Sequence, residues 1–221
     1  MTTSAAPDRA PRRDATENRA ALIEAAKTEL QRDPDVSLET IAAAAGLSRR
    51  AVYGHFSSRD DLVREVVTTG AARIAAAMPT AADLVDVPPA ARIAAIAVAL
   101  WAEVSHVRSM AAVAVREPFI QSVAAEFAPV RARVREACAL GIADGVMRDD
   151  VSPDALGRLV EDACIAVLDE ATRSGSSDAE GRRMVVLSAL GVTGIDWRTA
   201  LLSEPTTPTT TPSTTAQEPA A

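Results

Sequence analysis

Apolar residues recur every three or four positions along most of this chain, the spacing that places them on one face of an α-helix. The first such run begins near Thr16, carries Leu22, Ala26 and Leu30 on its apolar side, and ends before Pro34. Runs in which Val, Ile, Thr and Tyr alternate with polar residues over the length of a strand do not occur. The pattern therefore predicts an all-α fold.

Two short helices are predicted next, in residues 36–58, which read VSLETIAAAAGLSRRAVYGHFSS. Ser37 can cap the first helix, and Gly46 stands where a residue that tolerates positive φ best ends it. Ser48 can cap the second helix, expected over 49–56, which opens with Arg49 and Arg50 and has an apolar underside. A cationic helix start above an apolar underside fits the major groove of DNA, so the segment predicts a helix-turn-helix.

Ser, Pro and Gly residues mark the predicted starts and ends of helices in the remaining chain. Ser58 can cap a fourth helix, and further helices are expected over 90–107, 108–115, 118–143, 154–173 and 181–190, with Pro129 kinking or splitting the third of these. Four segments follow from this division: a disordered arm (1–15), a three-helix helix-turn-helix domain (16–69), a larger helical domain (70–202) and a disordered Thr/Pro-rich tail (203–221). The arm is a simple leader or touches DNA through Arg9, Arg12 and Arg13.

Composition narrows the class of protein. No run of 18 apolar residues occurs and the first residues lack the apolar core of a secretory signal, so neither a membrane span nor export is expected, and we place the chain in the cytoplasm. Cys138 and Cys164 have no metal-ligand spacing and are expected to be buried thiols, with a redox pair as the alternative. Phosphate-loop, zinc-protease and nucleophile-elbow motifs are missing, so no enzyme, cofactor or metal is expected.

The net charge of −7 is unevenly distributed. Residues 9–59 contain nine basic and seven acidic side chains, whereas residues 70–221 contain thirteen basic and nineteen acidic side chains. A mildly basic end suffices for DNA if helix N-termini and hydroxyl groups also meet phosphates. Acidity elsewhere would suppress non-specific DNA binding.

The stretches IAAAAGLS (41–48) and VYGHF (52–56), followed by Ser58-Arg59, resemble the DNA-binding domain of the TetR family of transcriptional repressors without a gap. Arg50 stands where that family often has Gly or Pro, and His55 stands where it usually has Tyr. Residues 141–163 also resemble the second domain of TetR relatives, which binds ligands and forms dimers. The resemblance implies a dimeric, all-helical transcription factor over about residues 16–200.

Candidate DNA contacts follow from the residues together with this resemblance. Arg49 and Arg50 are candidates for guanine contacts, with phosphate contact as the alternative, and Ala51 is a candidate for a thymine methyl group. Tyr53 matches the family tyrosine that contacts a phosphate. The remaining candidates for the DNA backbone are Ser37, Thr40, Ser48, His55 and Arg59.

The second half offers fewer signals. By analogy with the family fold, Trp101, His106, Met110, Phe119 and Phe127 are candidate lining residues of a cavity for a hydrophobic small molecule, with plain core as the alternative. The apolar residues Leu156, Leu159, Val160, Ala163 and Val167 suggest a face on which two copies form a four-helix bundle. A homodimer would read a palindromic operator on double-stranded DNA.

These observations predict a repressor that a small-molecule effector releases from its operator. The alternatives within the class are an activator and a regulator without an effector. A helical protein–protein adaptor without DNA binding is a different class of function, and a helical enzyme is the least favoured one.

Overall fold

The computed structural model describes residues 10–202, without the side chains of residues 10–14, 197 and 201–202. It is all-helical over this range. Eleven α-helices follow one another: α1 (Ala10–Arg32), α2 (Leu38–Ala44), α3 (Arg49–Tyr53), α4 (Arg59–Ala77), α5 (Pro89–Val104), α6 (Arg108–Ala114), α7 (Ile120–Glu126), α8 (Ala128–Ala143), α9 (Pro153–Ser174), α10 (Asp178–Gly191) and α11 (Trp197–Leu202). A single 3-10 turn, Ala82–Leu84, lies in the loop between α4 and α5.

The first three helices and the first half of α4 enclose one hydrophobic core. Leu22 and Leu30 of α1, Ile41 of α2, Val52 of α3 and Leu62 of α4 are fully buried there. Burying such side chains contributes roughly 1.5–3 kcal/mol each to stability. Short helices such as α2 and α3 are marginal alone, so this shared core holds them in place.

A second core lies among the later helices, with α5 at its centre. α5 packs against α4, α8 and α10, and its buried residues lie on more than one side, as expected from its apolar sequence. Gly181 of α10 permits the closest approach, because a Cβ there would lie 1.9 Å from Cζ2 of Trp101. The indole Nε1 of Trp101 donates to the carbonyl and to the carboxylate of Asp178, which ties α5 to the start of α10.

Helix α4 joins the two cores. Its residues Leu62, Val63, Val66, Val67 and Ala71 lie in the first core, whereas Ile74 lies in the second. Helices α6 and α7 also cross between them, because α6 packs against α1, α4 and α9, and α7 packs against α4 and α8.

Local capping determines where most helices begin. The hydroxyl groups of Ser37, Ser48, Ser58, Ser152 and Ser177 each accept a hydrogen bond from a backbone N–H three residues later. This confirms the caps predicted at Ser37, Ser48 and Ser58. Ser177 and Glu180 form a complete capping box. This hydrogen bonding with Ser177 also holds the pKa of the Glu180 carboxyl below its usual range.

Several predicted boundaries need correction. α1 begins at Ala10 rather than near Thr16, so residues 10–15, expected in a disordered arm, are helical. α3 ends at Tyr53 because Gly54 caps it, three residues before the predicted end. The helix predicted over 118–143 is two helices that meet at Phe127, immediately before Ala128-Pro129. α11 was not predicted, and residues 1–9 and the tail 203–221 lie outside the described range.

Among the described residues, no single helix is long and apolar enough to cross a bilayer. α5 and α6 would pass the test of length and composition only as a pair, and they meet at an angle of 111°.

Candidate nucleic-acid interface and internal cavity

The N-termini of α2 and α3 form the candidate nucleic-acid interface. Ser37 caps α2 by accepting from the N–H of Thr40 at 3.1 Å, and its Oγ lies 2.8 Å from Oγ1 of Thr40. Ser48 caps α3 by accepting from the N–H of Ala51 at 3.2 Å. Ser37, Thr40 and Ser48 are exposed, so these hydroxyl groups can meet phosphate oxygens without rearrangement of the helices.

A carboxylate of α2 reaches the first turn of α3. Oε1 of Glu39 lies 3.3 Å from Nη2 of Arg49, and the hydroxyl of Tyr53 donates to the same oxygen at 3.4 Å. The guanidinium carbon of Arg49 lies 5.8 Å from the centroid of the Tyr53 ring. Two predicted DNA contacts, Arg49 and Tyr53, are thus gathered around Glu39, which the sequence analysis did not single out.

Arg50 differs from its neighbour. Its side chain is exposed, and no hydrogen bond or ion pair within residues 10–202 holds its guanidinium. Ala51 and His55 are half-buried on the same short segment. Arg50 is therefore the cation of α3 that an incoming nucleic acid can engage at the lowest cost.

Arg59 makes hydrogen bonds within the protein that the sequence did not predict. Its Nε donates to the carbonyl of Val36 at 2.7 Å and its Nη2 donates to the carbonyl of Pro34 at 2.5 Å. Its Nη1 also lies 3.5 Å from the Asp60 carboxylate. The guanidinium connects the loop before α2 to the start of α4, and its predicted phosphate contact stays a prediction.

Arg19 also makes contacts within the protein, and the sequence analysis did not single it out. It forms a bidentate ion pair with Glu65 of α4, and its guanidinium carbon lies 4.9 Å from the centroid of the Phe56 ring. This contact joins α1, α4 and the segment after α3. The signal for it, an Arg and a Glu 46 positions apart, cannot be seen in a local pattern.

An internal cavity of about 190 Å³ lies between the helices of the second core. Its wall is almost entirely apolar and includes Trp101, Met110 and Phe127, three of the five predicted lining residues. An engineered apolar cavity of about 150 Å³ binds benzene, so this volume can hold a small apolar molecule. Val67, Ala71 and Ile74 of α4 also line it, which places α4 between the cavity and the helix-turn-helix.

His106 and Phe119 do not line this cavity. His106 is exposed at the bend between α5 and α6. Phe119 is buried in the first core, beside residues of the helix-turn-helix domain. The ligand contacts predicted for these two residues are therefore corrected.

One charged pair lies in the cavity wall, where α8 meets α9. Nη1 of Arg131 donates to Oε1 of Glu161 at 3.0 Å, and Nη2 of Arg131 donates to the carbonyl of Ala124. About a third of each charged side chain is exposed. Cys164 also lines the cavity, and burial raises the pKa of its thiol to about 12, so it stays protonated.

The predicted dimer face divides into two groups. Leu156, Val160 and Val167 are buried in the protomer's own core, which corrects the expectation that they meet a second copy. Leu159 is 40% exposed and Ala163 is half-buried, so both reach the outer side of α9. No cluster of three or more His, Cys, Asp or Glu side chains able to hold a metal ion occurs in the part of the chain that the structure describes.

Part of the sequence and the fold are similar to those of known proteins. Residues 22–66 match the family model of bacterial regulatory proteins, tetR family. None of the curated protein sequences matches the chain significantly. The fold is shared with solved structures of low sequence identity, which are therefore evidence for the fold alone.

Three of these structures illustrate the likeness. The TetR-like transcriptional regulator LfrR from Mycobacterium smegmatis, in complex with proflavine, is 21% identical with a TM-score of 0.54, over 80% of this chain and 96% of that one. SmeT, the repressor of the Stenotrophomonas maltophilia multidrug efflux pump SmeDEF, is 18% identical with a TM-score of 0.60, over 79% and 91%. The ketosteroid transcriptional regulator KstR2 of Mycobacterium tuberculosis is 20% identical with a TM-score of 0.57, over 79% and 94%. Residues 22–66 therefore resemble the tetR-family regulatory domain, and the described residues share the fold of these solved structures.

Proposed function

We propose that this protein is a repressor that binds a palindromic operator as a homodimer and leaves it when a small apolar molecule fills the cavity. The observation that carries the DNA-binding part is the pair of serine-capped helix N-termini with Arg49 and Arg50 in the first turn of α3. A helix N-terminus attracts phosphates, and an arginine there can reach a base edge in the major groove.

The division into domains supports this proposal. In the proposed division, residues 16–69 form the DNA-reading domain and residues 70–202 form the effector domain. The boundary falls inside α4, whose Val67 and Ala71 lie in the first core and whose Ile74 lies in the second. A continuous helix that touches both cores is a physical connection between a ligand and the DNA-reading helices.

A homodimer supplies the second half of the operator contact. The outer side of α9 presents Leu159 and Ala163, and α10, which packs against α9, carries the half-buried Met184 and Leu187. Two copies paired through these sides would form a four-helix bundle and would set the spacing of the two α3 helices. The paired spacing is what makes a palindrome the expected site.

The effector is proposed to be neutral and apolar. The charged groups of the cavity wall, Arg131 and Glu161, neutralise each other, and the remaining wall offers mainly van der Waals contact. Proflavine bound to LfrR and the efflux-pump and ketosteroid roles in the names of SmeT and KstR2 support a ligand-responsive regulator. Linkage requires that operator DNA weaken the binding of the effector by the same factor.

The first experiment selects duplexes from a randomised DNA pool with the purified full chain and measures the affinity of the enriched site by fluorescence anisotropy. A palindromic site bound at least a thousandfold more tightly than random DNA, as is typical of specific regulators, is the expected result. The double variant Arg49→Ala/Arg50→Ala should lose this preference. Failure to enrich any sequence would contradict the proposal and would favour the adaptor function.

A second step tests the effector and the sign of regulation. Ethylbenzene, 3-phenylpropionate and phenethylamine share a ring and differ in charge, and we expect only the neutral probe to bind the cavity and weaken operator binding. A reporter gene placed behind the selected site should be expressed less when the protein is present. Higher reporter expression would identify an activator, and binding of the probe without any change in operator affinity would contradict the proposed release.

A further inference from the structure

Glu39 occupies an unusual position for an acidic residue. It lies in the first turn of α2, on the face that carries the exposed caps Ser37 and Ser48. Its carboxylate extends to α3, and one of its oxygens contacts both Arg49 and Tyr53. A negative charge on a surface that meets phosphates opposes binding, so its presence requires a physical account.

Glu39 pairs with Arg49, a side chain that would otherwise be free to contact phosphates. The Arg49 side chain is 73% exposed and the Glu39 side chain is 46% exposed, and their ion pair is 3.3 Å long. Exposed ion pairs of this kind add little to folding stability. The carboxylate instead competes with phosphate oxygens for the guanidinium, and it also takes the hydroxyl donor of Tyr53.

Arg50 shows how an arginine of α3 behaves without a competing carboxylate. It follows Arg49 directly and is exposed, and within the described residues no carboxylate pairs with it. The two neighbouring arginines of α3 therefore face DNA differently: Arg50 can engage any phosphate, whereas Arg49 must first leave Glu39. The contact with the Tyr53 ring restricts the orientation of the Arg49 guanidinium further.

We propose that Glu39 is a specificity-determining residue, which withholds Arg49 from indiscriminate phosphate contact and keeps its guanidinium oriented for a base in the correct sequence. The proposal rests on the proposed DNA-binding function. A sequence without a guanine at the right position offers Arg49 only phosphates, which must displace a carboxylate of similar chemistry. A site with a guanine at the right position offers two acceptors in a bidentate geometry, which a carboxylate on one nitrogen does not replace.

The size of the effect follows from counterion release. Each additional phosphate neutralised by a protein changes log K by about −0.9 per decade of salt, so at 0.1 M salt one additional contact raises the affinity about eightfold. Releasing Arg49 by Glu39→Gln should therefore raise the affinity for random duplex about eightfold per protomer. The salt dependence on random duplex should steepen by about 0.9 per protomer, and the affinity for the selected site should rise less.

The experiment measures anisotropy with two 30-base-pair duplexes, one of mixed random sequence and one carrying the site enriched by the wild-type protein. Glu39→Gln is compared with Glu136→Gln, which removes the same charge from an exposed position on α8 and should leave the ratio of the two affinities unchanged. Arg49→Ala and Glu39→Gln/Arg49→Ala complete a double-mutant cycle. Thermal melting of each variant confirms that it is folded.

The expected result is a several-fold loss of the ratio between selected and random affinity in Glu39→Gln, and none on adding Glu39→Gln to Arg49→Ala. The inference is overturned if Glu39→Gln behaves like Glu136→Gln, if it raises both affinities equally, or if its effect persists without Arg49. Failure of the function itself looks different: the wild-type protein would then enrich no sequence, and both proposals would fall together.

Discussion

Substitution of Arg59 tests whether this arginine stabilises the fold or contacts a DNA phosphate. A phosphate-binding Arg59 and a structural Arg59 predict opposite outcomes for the same substitution. In the structure its Nε and Nη2 donate to the carbonyls of Val36 and Pro34, and these bonds hold the loop that precedes the cap of α2. We therefore expect Arg59→Ala to lower the free energy of unfolding and to leave the number of phosphate contacts unchanged.

The magnitude follows from the two hydrogen bonds. A hydrogen bond to a charged group contributes about 1.5–3 kcal/mol when it is well buried. The Arg59 side chain is 27% exposed, so water replaces part of each bond after truncation. We expect Arg59→Ala to lower the free energy of unfolding by about 2 kcal/mol. Arg59→Lys should lose about half as much, because one ammonium cannot follow the geometry of the guanidinium fork.

The assay combines urea unfolding, at one fixed protein concentration, with anisotropy on random duplex at several salt concentrations. Arg50→Ala is the matched control, since it removes the same charge from an exposed position without a described partner. It should change the free energy of unfolding by less than about 0.5 kcal/mol. It should also reduce the salt slope, the steepness with which log K for DNA falls against log salt concentration, by about 0.9 per protomer. Arg59→Ala should show the reverse, with lower stability and an unchanged salt slope.

One combination of results would refute this reasoning. If Arg59→Ala unfolds at the wild-type urea concentration and binds DNA with a reduced salt slope, Arg59 contacts a phosphate and the carbonyl bracket is unimportant.

Three further predictions use the same urea assay. Gly181→Ala should destabilise the protein by about 1–3 kcal/mol and change the tryptophan fluorescence, because the new Cβ displaces the Trp101 ring, whereas Gly191→Ala meets nothing within 4 Å and should be neutral or stabilising. Glu65→Gln should cost about 1 kcal/mol by breaking the bidentate pair with Arg19, and an unchanged stability would show that the pair is solvent-screened. Burial raises the pKa of the Cys138 thiol to about 11 from about 9, so its contribution is complete below pH 9 and falls as the pH rises to 11; Cys138→Ala should remove that part of the pH dependence.

Features written in short stretches of sequence could be predicted. Each serine cap depends on a hydroxyl and an N–H three residues apart, so the starts of α2, α3 and α4 were predicted correctly. The split at Phe127 was left open between a kink and a break, because Pro129 permits either one. The early start of α1 was missed because Ala, Pro and Arg at 10–13 show no apolar periodicity, and a Pro in the first turn is compatible with a helix.

Features that depend on distant partners could not be predicted. The carbonyls that bind Arg59 are 23 and 25 positions away, and the carboxylate that binds Arg49 belongs to another helix. Phe119 was expected to line the cavity by analogy with the family fold, but it is buried in the first core. The apolar side of α9 was recognised, yet only tertiary packing decides that Val160 points inward and Leu159 outward.

The distribution of charge on the candidate DNA face has a consequence for regulation. Arg59 is committed to backbone carbonyls and Arg49 is paired with Glu39, so Arg50 is the α3 cation without a described partner. With a net charge of −7 on the chain, non-specific attraction to DNA should be weak and the salt slope shallow. In the proposed homodimer, binding then depends on two α3 helices meeting two half-sites at the correct spacing. Under the proposed function, an effector that shifts this spacing lowers the operator affinity, and little non-specific affinity then remains to hold the protein on DNA. A coupling of about 1–3 kcal/mol, typical of allosteric proteins, is then sufficient for release.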